Sequence, residues 1–149
     1  MRMVSLFSTL LPCTSLDVSA QAQLAIRFGE RVIAGTGLVE LHGDSYVLTM
    51  LSPAGTALFS VSGPPRSVDG PPDWTPWLRR LPIERDLRLI WTSKEGMECR
   101  AWGGRYRMDE AQTRWTGPGG RATLHLEEGR FVVEDKRRGY TLTLVEVGP

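Results

Sequence analysis

The histidines are the first residues of this chain to consider for chemistry, and there are only two, His42 and His125. His42 precedes a Gly-Asp turn, and His125 falls on the polar face of a segment in which apolar and polar residues alternate. Catalysis by either ring would require a buried polar constellation, with a carboxylate beside it and a pKa far from about 6.5. We expect both rings to be solvated. The sequence therefore predicts that the protein is not an enzyme, and an enzyme acting on acyl groups is the least favoured alternative.

Carboxylates occur in close pairs, a pattern that acid–base chemistry can use. Each pair adjoins an arginine or a predicted turn, so we expect them on solvated faces: Glu84 with Asp86, Asp109 with Glu110, and Glu127 with Glu128. The Gly-x-Ser-x-Gly, His-Glu-x-x-His and phosphate-loop motifs do not occur in the sequence. The sequence predicts neither a cofactor nor a metal site.

The two cysteines, Cys13 and Cys99, are far apart and lack the spacing of metal ligands. They are two idle thiols, or they pair if the chain is exported, and the sequence leaves both alternatives open. Residues 4–11 resemble a very short export signal, after which Cys13 would be the acylation site, although Pro12 stands where such signals carry a small residue. Residues 1–20 are interpreted as an N-terminal tail, as a remnant of an export signal, or as the start of the folded domain.

Length and composition favour a single soluble domain spanning residues 1–149. The formal net charge is +1 and no basic stripe is present, so nucleic-acid binding is not expected. No apolar run approaches the roughly 18 residues of a membrane-spanning helix. Glycines and prolines separate short β-rich runs, a distribution typical of an all-β or β-dominated α+β domain.

Strands are predicted on both sides of a central region, at 21–28, 31–41, 44–51, 56–62, 66–68, 97–102, 105–108, 112–116, 121–127, 130–135 and 140–147. Gly35 and Gly37 interrupt the second strand and predict a bulge or a sharp bend. Tight turns are expected at Gly43-Asp44, at 52–55, at Glu128-Gly129 and at Arg138-Gly139.

In the central region the apolar period becomes that of a helix. A first short helix is indicated by residues at i, i+3, i+4 and i+7: Trp74, Trp77, Leu78 and Leu81. Asp73 is its predicted N-cap, and Pro76 is tolerable only in its first turn. A second helix after Pro82 is indicated by similar spacing: Ile83, Leu87, Ile90 and Trp91.

The strand predicted at 44–51 is apolar on both faces, so both faces need cover. A sandwich would supply that cover, and so would a curved sheet whose hollow holds a helix or an apolar ligand. The five tryptophans are compatible with a binding groove and equally with a core filled by large side chains.

Several short motifs resemble those of a group of bacterial lipoproteins. In chain order they are Leu11-Pro12, Gln23-Leu24, Ser52-Pro53-Ala54-Gly55, Leu58-Phe59, Leu81-Pro82 with Trp91, and Gly139-Tyr140-Thr141-Leu142. The set resembles the outer-membrane lipoprotein receptor of the Lol pathway, and more closely the DUF3261 lipoproteins. The resemblance covers most of the chain.

The resemblance implies an incomplete antiparallel β-barrel, a half-barrel, with short helices covering its hollow face. It also implies a lipid- or lipoprotein-binding protein of the cell envelope, at the periplasmic face of the outer membrane. Such a protein holds acyl chains of a lipid or acylated cargo without a cofactor, and a periplasmic carrier is a candidate partner. The residues expected to line the cavity or its lid are Leu48, Met50, Leu58, Val61, Trp77, Leu87 and Trp91.

The resemblance also implies a membrane-facing loop at Pro53 and Ala54. The Lol receptor carries a protruding leucine in this turn, and a methyl group at Ala54 buries much less apolar surface. We therefore expect at most peripheral membrane contact. The alternative function is a closed-core scaffold or interaction module that has the same fold and no ligand cavity.

Overall fold

The structure is a computed structural model that describes residues 16–95, 107–108, 114–116 and 122–147. Cys13, Cys99, the pair Asp109 and Glu110, and the strand predicted at 97–102 lie outside the described residues. The predictions of acylation at Cys13 and of a Cys13–Cys99 disulfide therefore stay predictions.

Strands dominate the described part of the chain. They are β1 (Asp17–Phe28), β2 (Arg31–His42), β3 (Ser45–Leu51), β4 (Ala57–Gly63), β5 (Ser67–Asp69), β6 (Arg107–Met108), β7 (Arg114–Thr116), β8 (Ala122–Glu127), β9 (Arg130–Asp135) and β10 (Tyr140–Glu146). The helices are α1 (Thr75–Leu78) and α2 (Ile83–Glu95). The predicted β-dominated α+β class is confirmed.

The described strands form one sheet in the order β5-β4-β3-β2-β1-β10-β9-β8-β7-β6. Every pairing in that order is antiparallel, and the sheet is not closed into a barrel. Two meanders, β1 to β5 and β6 to β10, join where β1 pairs with β10.

The first strand begins earlier than its apolar pattern indicated. β1 starts at Asp17, and Leu16 before it is buried and accepts a hydrogen bond from the Gly43 amide at 3.2 Å. The interpretation of residues 1–20 as a tail is therefore wrong for residues 16–20. The inner positions at the start of β1 are Val18 and Ala20, which are only partly buried, so their apolar signal is weaker than that of Leu24 and Ile26.

The predicted helices are confirmed, but the first is short and its predicted cap is wrong. Trp74 rather than Asp73 occupies the N-cap position of α1, and no side chain caps it. Pro76 lies in the first turn, as expected. After α1 the chain forms tighter turns, in which each amide bonds to the carbonyl three residues before it. Arg80 N donates to Trp77 O at 3.0 Å, and Leu81 N donates to Leu78 O at 3.4 Å.

Within the described residues, no helix is both long and apolar enough to span a membrane.

Alternation along the strands gives the sheet an apolar inner face. Its buried residues on β1–β4 and β10 are Ala22, Leu24, Ile26, Ile33, Val39, Leu41, Tyr46, Leu48, Met50, Phe59, Val61, Tyr140, Leu142 and Leu144. The opposite face is largely polar, with single exposed apolar residues such as Val32, Leu38 and Val47. One face of the sheet is therefore solvated and the other requires cover.

The two glycines of β2 permit close approach rather than forming a bulge. The pairing of β2 with β1 continues without interruption through both positions. A Cβ at Gly37 would lie 2.2 Å from Cδ1 of Leu24, and a Cβ at Gly35 would lie 2.2 Å from the carbonyl oxygen of Leu51. A Cβ at Gly37 therefore requires the Leu24 side chain to move, whereas a Cβ at Gly35 is blocked by backbone.

These contacts predict different behaviour for alanine at the two glycines. We expect Gly37→Ala to lower the free energy of unfolding by about 1–3 kcal/mol because Leu24 must move. In the double variant with Leu24→Ala the loss should be smaller than the sum of the single losses. Gly35→Ala should show no such coupling, since the Leu51 backbone blocks it. Urea unfolding measures the cycle, and strict additivity for Gly37 with Leu24 would contradict the packing.

Candidate functional site

The candidate site is the inner face of the sheet together with α1 and α2, which we call the helical cover. Six of the seven predicted lining residues are buried in one apolar cluster: Leu48, Met50, Val61, Trp77, Leu87 and Trp91. The strands supply the first three and the cover supplies the others. The structure therefore brings side chains of β3 and β4 together with side chains of the central helices.

The seventh predicted residue, Leu58, is half-buried and packs against this cluster. The pairing of β3 with β4 shifts here, because Met50 pairs with Phe59 whereas Leu51 pairs with Ala57. Leu58 is thus the extra residue of a β-bulge. Phe59, which the sequence analysis did not select, is buried instead. A bulge leaves no signal in apolar alternation, so the sequence could not distinguish the two neighbours.

Aromatic contacts fix the position of α1 on the sheet. The Trp77 ring stacks on Phe28 of β1, with centroids 5.6 Å apart and planes at 10°. Trp74 meets Phe59 of β4 edge to face at 6.4 Å. Arg66 adds polar contacts by donating to the carbonyl oxygens of Arg79 and Leu81, at 2.6 and 3.4 Å.

A charged cluster, made of Arg85, Asp86, Asp135 and Arg138, holds the start of α2 and buries its two carboxylates. Arg85 donates to Asp86 Oδ1 at 2.8 Å and reaches Asp135 Oδ2 at 3.5 Å. Arg138, from the β9–β10 turn, donates to the same Asp135 oxygen at 2.8 Å. The side chains of Asp86 and Asp135 are 0% and 1% exposed, so the two carboxylates depend on these arginines for compensation.

The expectation that Glu84 and Asp86 are both solvated is wrong for Asp86. Asp86 follows Ile83 by three residues and so shares the face of α2 that packs on the sheet. Its carboxylate pairs with the neighbouring Arg85, which also reaches Asp135 of the distant β9–β10 hairpin, and it lies against Tyr140 of β10. The sequence shows the charges but not which distant segment meets them.

Further polar contacts hold α2 along its length. Arg88, which is buried, forms an ion pair with Glu84 and donates to the carbonyl oxygen of Ser45 at 3.3 Å. Near the other end of the helix, Lys94 forms an ion pair with Glu146 of β10 and lies 5.2 Å from the ring centroid of Trp91. These contacts place α2 between strands from both halves of the sheet.

Among the described residues, the buried indole nitrogen of Trp77 has no hydrogen-bond partner, whereas the buried Tyr140 hydroxyl lies against the carboxylate of Asp86. Burial raises the pKa of Tyr140 well above its usual value, and the negative charge of Asp86 raises that pKa further. Tyr140 is therefore a neutral hydroxyl beside the charged cluster at the start of α2.

The predicted membrane-facing residues, Pro53 and Ala54, are exposed in the β3–β4 turn. The turn is closed by a hydrogen bond from Ser52 N to Thr56 O at 2.8 Å and contains Gly55 at a φ of 84°. It lies at the same end of the strands as the basic β9–β10 turn. Contact of Pro53 and Ala54 with a membrane stays a prediction.

The histidines lie outside this layer. His42 is exposed and bonds to Asp17, with Glu40 at 3.5 Å. The hydrogen bond to Asp17 raises the pKa of His42 above its usual value, against a smaller opposing effect of desolvation. His125 is half-buried, 3.2 Å from the Thr123 hydroxyl and 3.5 Å from Glu134. His42 therefore forms an exposed pair rather than the buried constellation that catalysis would require.

No protein-family model matches the sequence, and no curated protein matches it.

The charged cluster predicts a pH dependence of stability. Burial alone would raise the pKa of Asp135, but bonds from Arg138 and the charge of Arg85 outweigh it, so that the pKa is lowered from 3.8. The folded state therefore binds this proton less readily than the unfolded state. The resulting stabilisation is complete above the unfolded pKa and is lost as the pH falls through the folded pKa.

We expect Asp135→Asn to lower the free energy of unfolding at neutral pH by about 1–3 kcal/mol. The difference from the natural protein should shrink as the pH falls below about 4. Urea unfolding across this pH range measures the effect, and Asp73→Asn serves as an exposed control. A constant difference at every pH would contradict the assignment.

Proposed function

We propose that the protein binds acyl chains between the inner face of its sheet and the helical cover. One observation carries the proposal. The residues expected to line a hollow belong to a single apolar cluster, to which a sheet and two short helices contribute separately. Two short helices held on an open sheet by side-chain contacts form a cover that can separate from it.

The finer architecture that we propose is a half-barrel. Ser45 and Asp135 are four strands apart, and about eleven residues of β1 separate their pairing rows, so they would be about 40 Å apart on a flat sheet. Arg88 and Arg85 contact these two residues from positions about 5 Å apart along α2. Strong coiling of the sheet around the helix accounts for both contacts.

Uptake in this proposal is passive. The lining side chains are buried, so the helical cover must move before a hydrocarbon chain can enter. Burial of that chain then contributes roughly 25 cal/mol per Å² of apolar surface. The process needs no cofactor and no covalent step.

The proposed cargo is a lipid or an acylated protein, and the proposed place is the cell envelope, at the periplasmic face of the outer membrane. A periplasmic carrier would deliver or receive the cargo. These assignments follow the motifs that resemble the Lol receptor and the DUF3261 lipoproteins. Membrane contact through Pro53 and Ala54 would be peripheral, because the exposed Ala54 offers only a methyl group.

A closed-core scaffold or interaction module is the second candidate. The observation that favours it is the nearly complete burial of Leu48, Met50 and Leu87. In this case the helical cover is a permanent plug, and the fold provides a rigid surface rather than a cavity.

The kinetics of fatty-acid uptake distinguish the two candidates. Arg85→Gln removes the contact between α2 and Asp135, and we expect it to accelerate uptake of a fluorescent fatty acid by about tenfold, for a loss of roughly 1.4 kcal/mol of attachment. Arg80→Gln is the matched control, since Arg80 is exposed and outside the charged cluster. Stopped-flow fluorescence gives the rates.

Native mass spectrometry of protein purified from its own host is the companion measurement. Carriage predicts bound acyl species. A ligand-free spectrum, together with no fatty-acid uptake by the natural protein or by Arg85→Gln, would support the scaffold and overturn carriage.

A further inference from the structure

Four exposed cations lie together at one end of the sheet. They flank or belong to the β1–β2 and β9–β10 turns, which are joined by a hydrogen bond from Gly29 N to Gly139 O at 3.1 Å. Each cation is within three residues of one of these glycines, and we call this the basic end of the sheet: Arg27, Arg31, Lys136 and Arg137. Two turns that are distant in the sequence therefore concentrate positive charge in one place.

These cations have little compensation within the protein. Among the described residues none of the four forms an ion pair, and the two turns contain a single carboxylate, Glu30. The neighbouring Arg138 differs, because it pairs with the buried Asp135. The basic end therefore presents net positive charge to its surroundings.

The opposite end of the sheet is acidic. The β2–β3 and β8–β9 turns lie there, and they carry exposed carboxylates at Asp44, Glu127 and Glu128 against one cation, Arg130. The formal net charge of the whole chain is +1, and this small value conceals a separation of charge along the strands. Such a separation orients the protein at a charged surface, with the basic end toward negative charge.

Exposed uncharged groups accompany the cations. Val32, the cross-strand neighbour of Arg27, is 59% exposed and is the most exposed large hydrophobic residue of the described chain. The β3–β4 turn at the same end adds the exposed Pro53 and Ala54. Cations beside exposed apolar groups favour an anionic bilayer, because electrostatic attraction and apolar burial then act together. An acidic polypeptide would account for the cations but not for the apolar groups.

We propose that the basic end binds peripherally to a bilayer of anionic lipids, with its four cations close to the headgroup phosphates. The inference adds a charged contact to the contact proposed for Pro53 and Ala54. It does not depend on acyl-chain binding, so either proposal can fail without the other.

Docking through the basic end would also bring the helical cover to the bilayer. Trp77 of α1 stacks on Phe28, the last residue of β1 before its turn, and Arg85 of α2 reaches Asp135 beside the β9–β10 turn. The start of the cover would therefore lie next to the lipid, on the side from which an acyl chain would enter.

Vesicle sedimentation tests the proposal, with an equimolar mixture of phosphatidylglycerol and phosphatidylcholine compared with phosphatidylcholine alone. We expect the protein to bind the anionic vesicles and to lose that binding as salt is added, because salt screens the attraction. Arg137→Gln should weaken binding about fivefold, and the double variant Lys136→Gln with Arg137→Gln about twenty-five-fold, at about 1 kcal/mol for each charge. Both side chains are exposed, so urea unfolding of these variants should be unchanged.

Arg130→Gln is the matched control, because it removes the same charge from an exposed position at the opposite end. It should weaken vesicle binding by less than about twofold, since its charge lies far from the bilayer. Equal losses for Arg130→Gln and Arg137→Gln would mean that the net charge alone drives binding, and the basic end would not be the contact.

The remaining outcomes identify the occupant. Equal binding to anionic and neutral vesicles, or binding to neither, would overturn the proposal and leave acyl-chain binding intact. Polyglutamate or free glycerol phosphate that bound as tightly as the anionic vesicles, with the same dependence on Arg137, would assign an acidic polypeptide or a soluble phosphate and refute the bilayer. Binding to anionic vesicles without uptake of fatty acid would support the docking surface and overturn carriage.

Discussion

The need to cover an apolar sheet face is the constraint on which the rest of this structure depends. The inner side chains of β1–β4 and β10 are almost all aliphatic or aromatic, and the sheet is open, so it cannot bury them by closing on itself. The chain meets this need with the region between β5 and β6, where α1 and α2 lie against the inner face. In the sequence α1 and α2 lie between the two meanders. In the fold they cover buried residues of both halves of the sheet.

Apolar burial holds the helical cover on the sheet, but it does not fix the orientation of the helices because the hydrophobic effect is non-directional. The polar contacts fix that orientation. Arg85 and Arg88 contact residues in opposite halves of the sheet. Lys94, near the C-terminal end of α2, forms an ion pair with Glu146. A charged group buried between a helix and a sheet is costly unless a group of opposite charge pairs with it. A helix that slid by one residue would separate these pairs. Together, the contacts of Arg85, Arg88 and Lys94 therefore specify one arrangement of a layer that apolar packing alone would leave loosely defined.

The sequence predicts most of the elements because their signals are local. Alternation and turn residues located β2, β3, β8, β9 and β10, and the change to a helical period located α1 and α2. The errors concern features set by distant residues. The bulge that buries Phe59 rather than Leu58 depends on the register of β4 against β3. The burial of Asp86 depends on the β9–β10 hairpin, whose Asp135 contacts Arg85. Neither the register nor the hairpin contact is encoded within a few residues of its effect.

Hydrogen exchange of the α2 amides tests most directly whether the cover separates from the sheet. The account predicts that the amides of α2 exchange through an opening with a lower free energy than that of the paired amides of β1 and β2. Saturation with a bound acyl ester should change the protection of α2 while leaving those strands unaffected. Exchange of α2 only through global unfolding, with the same free energy as β1 and β2 and no response to the ester, would contradict the account.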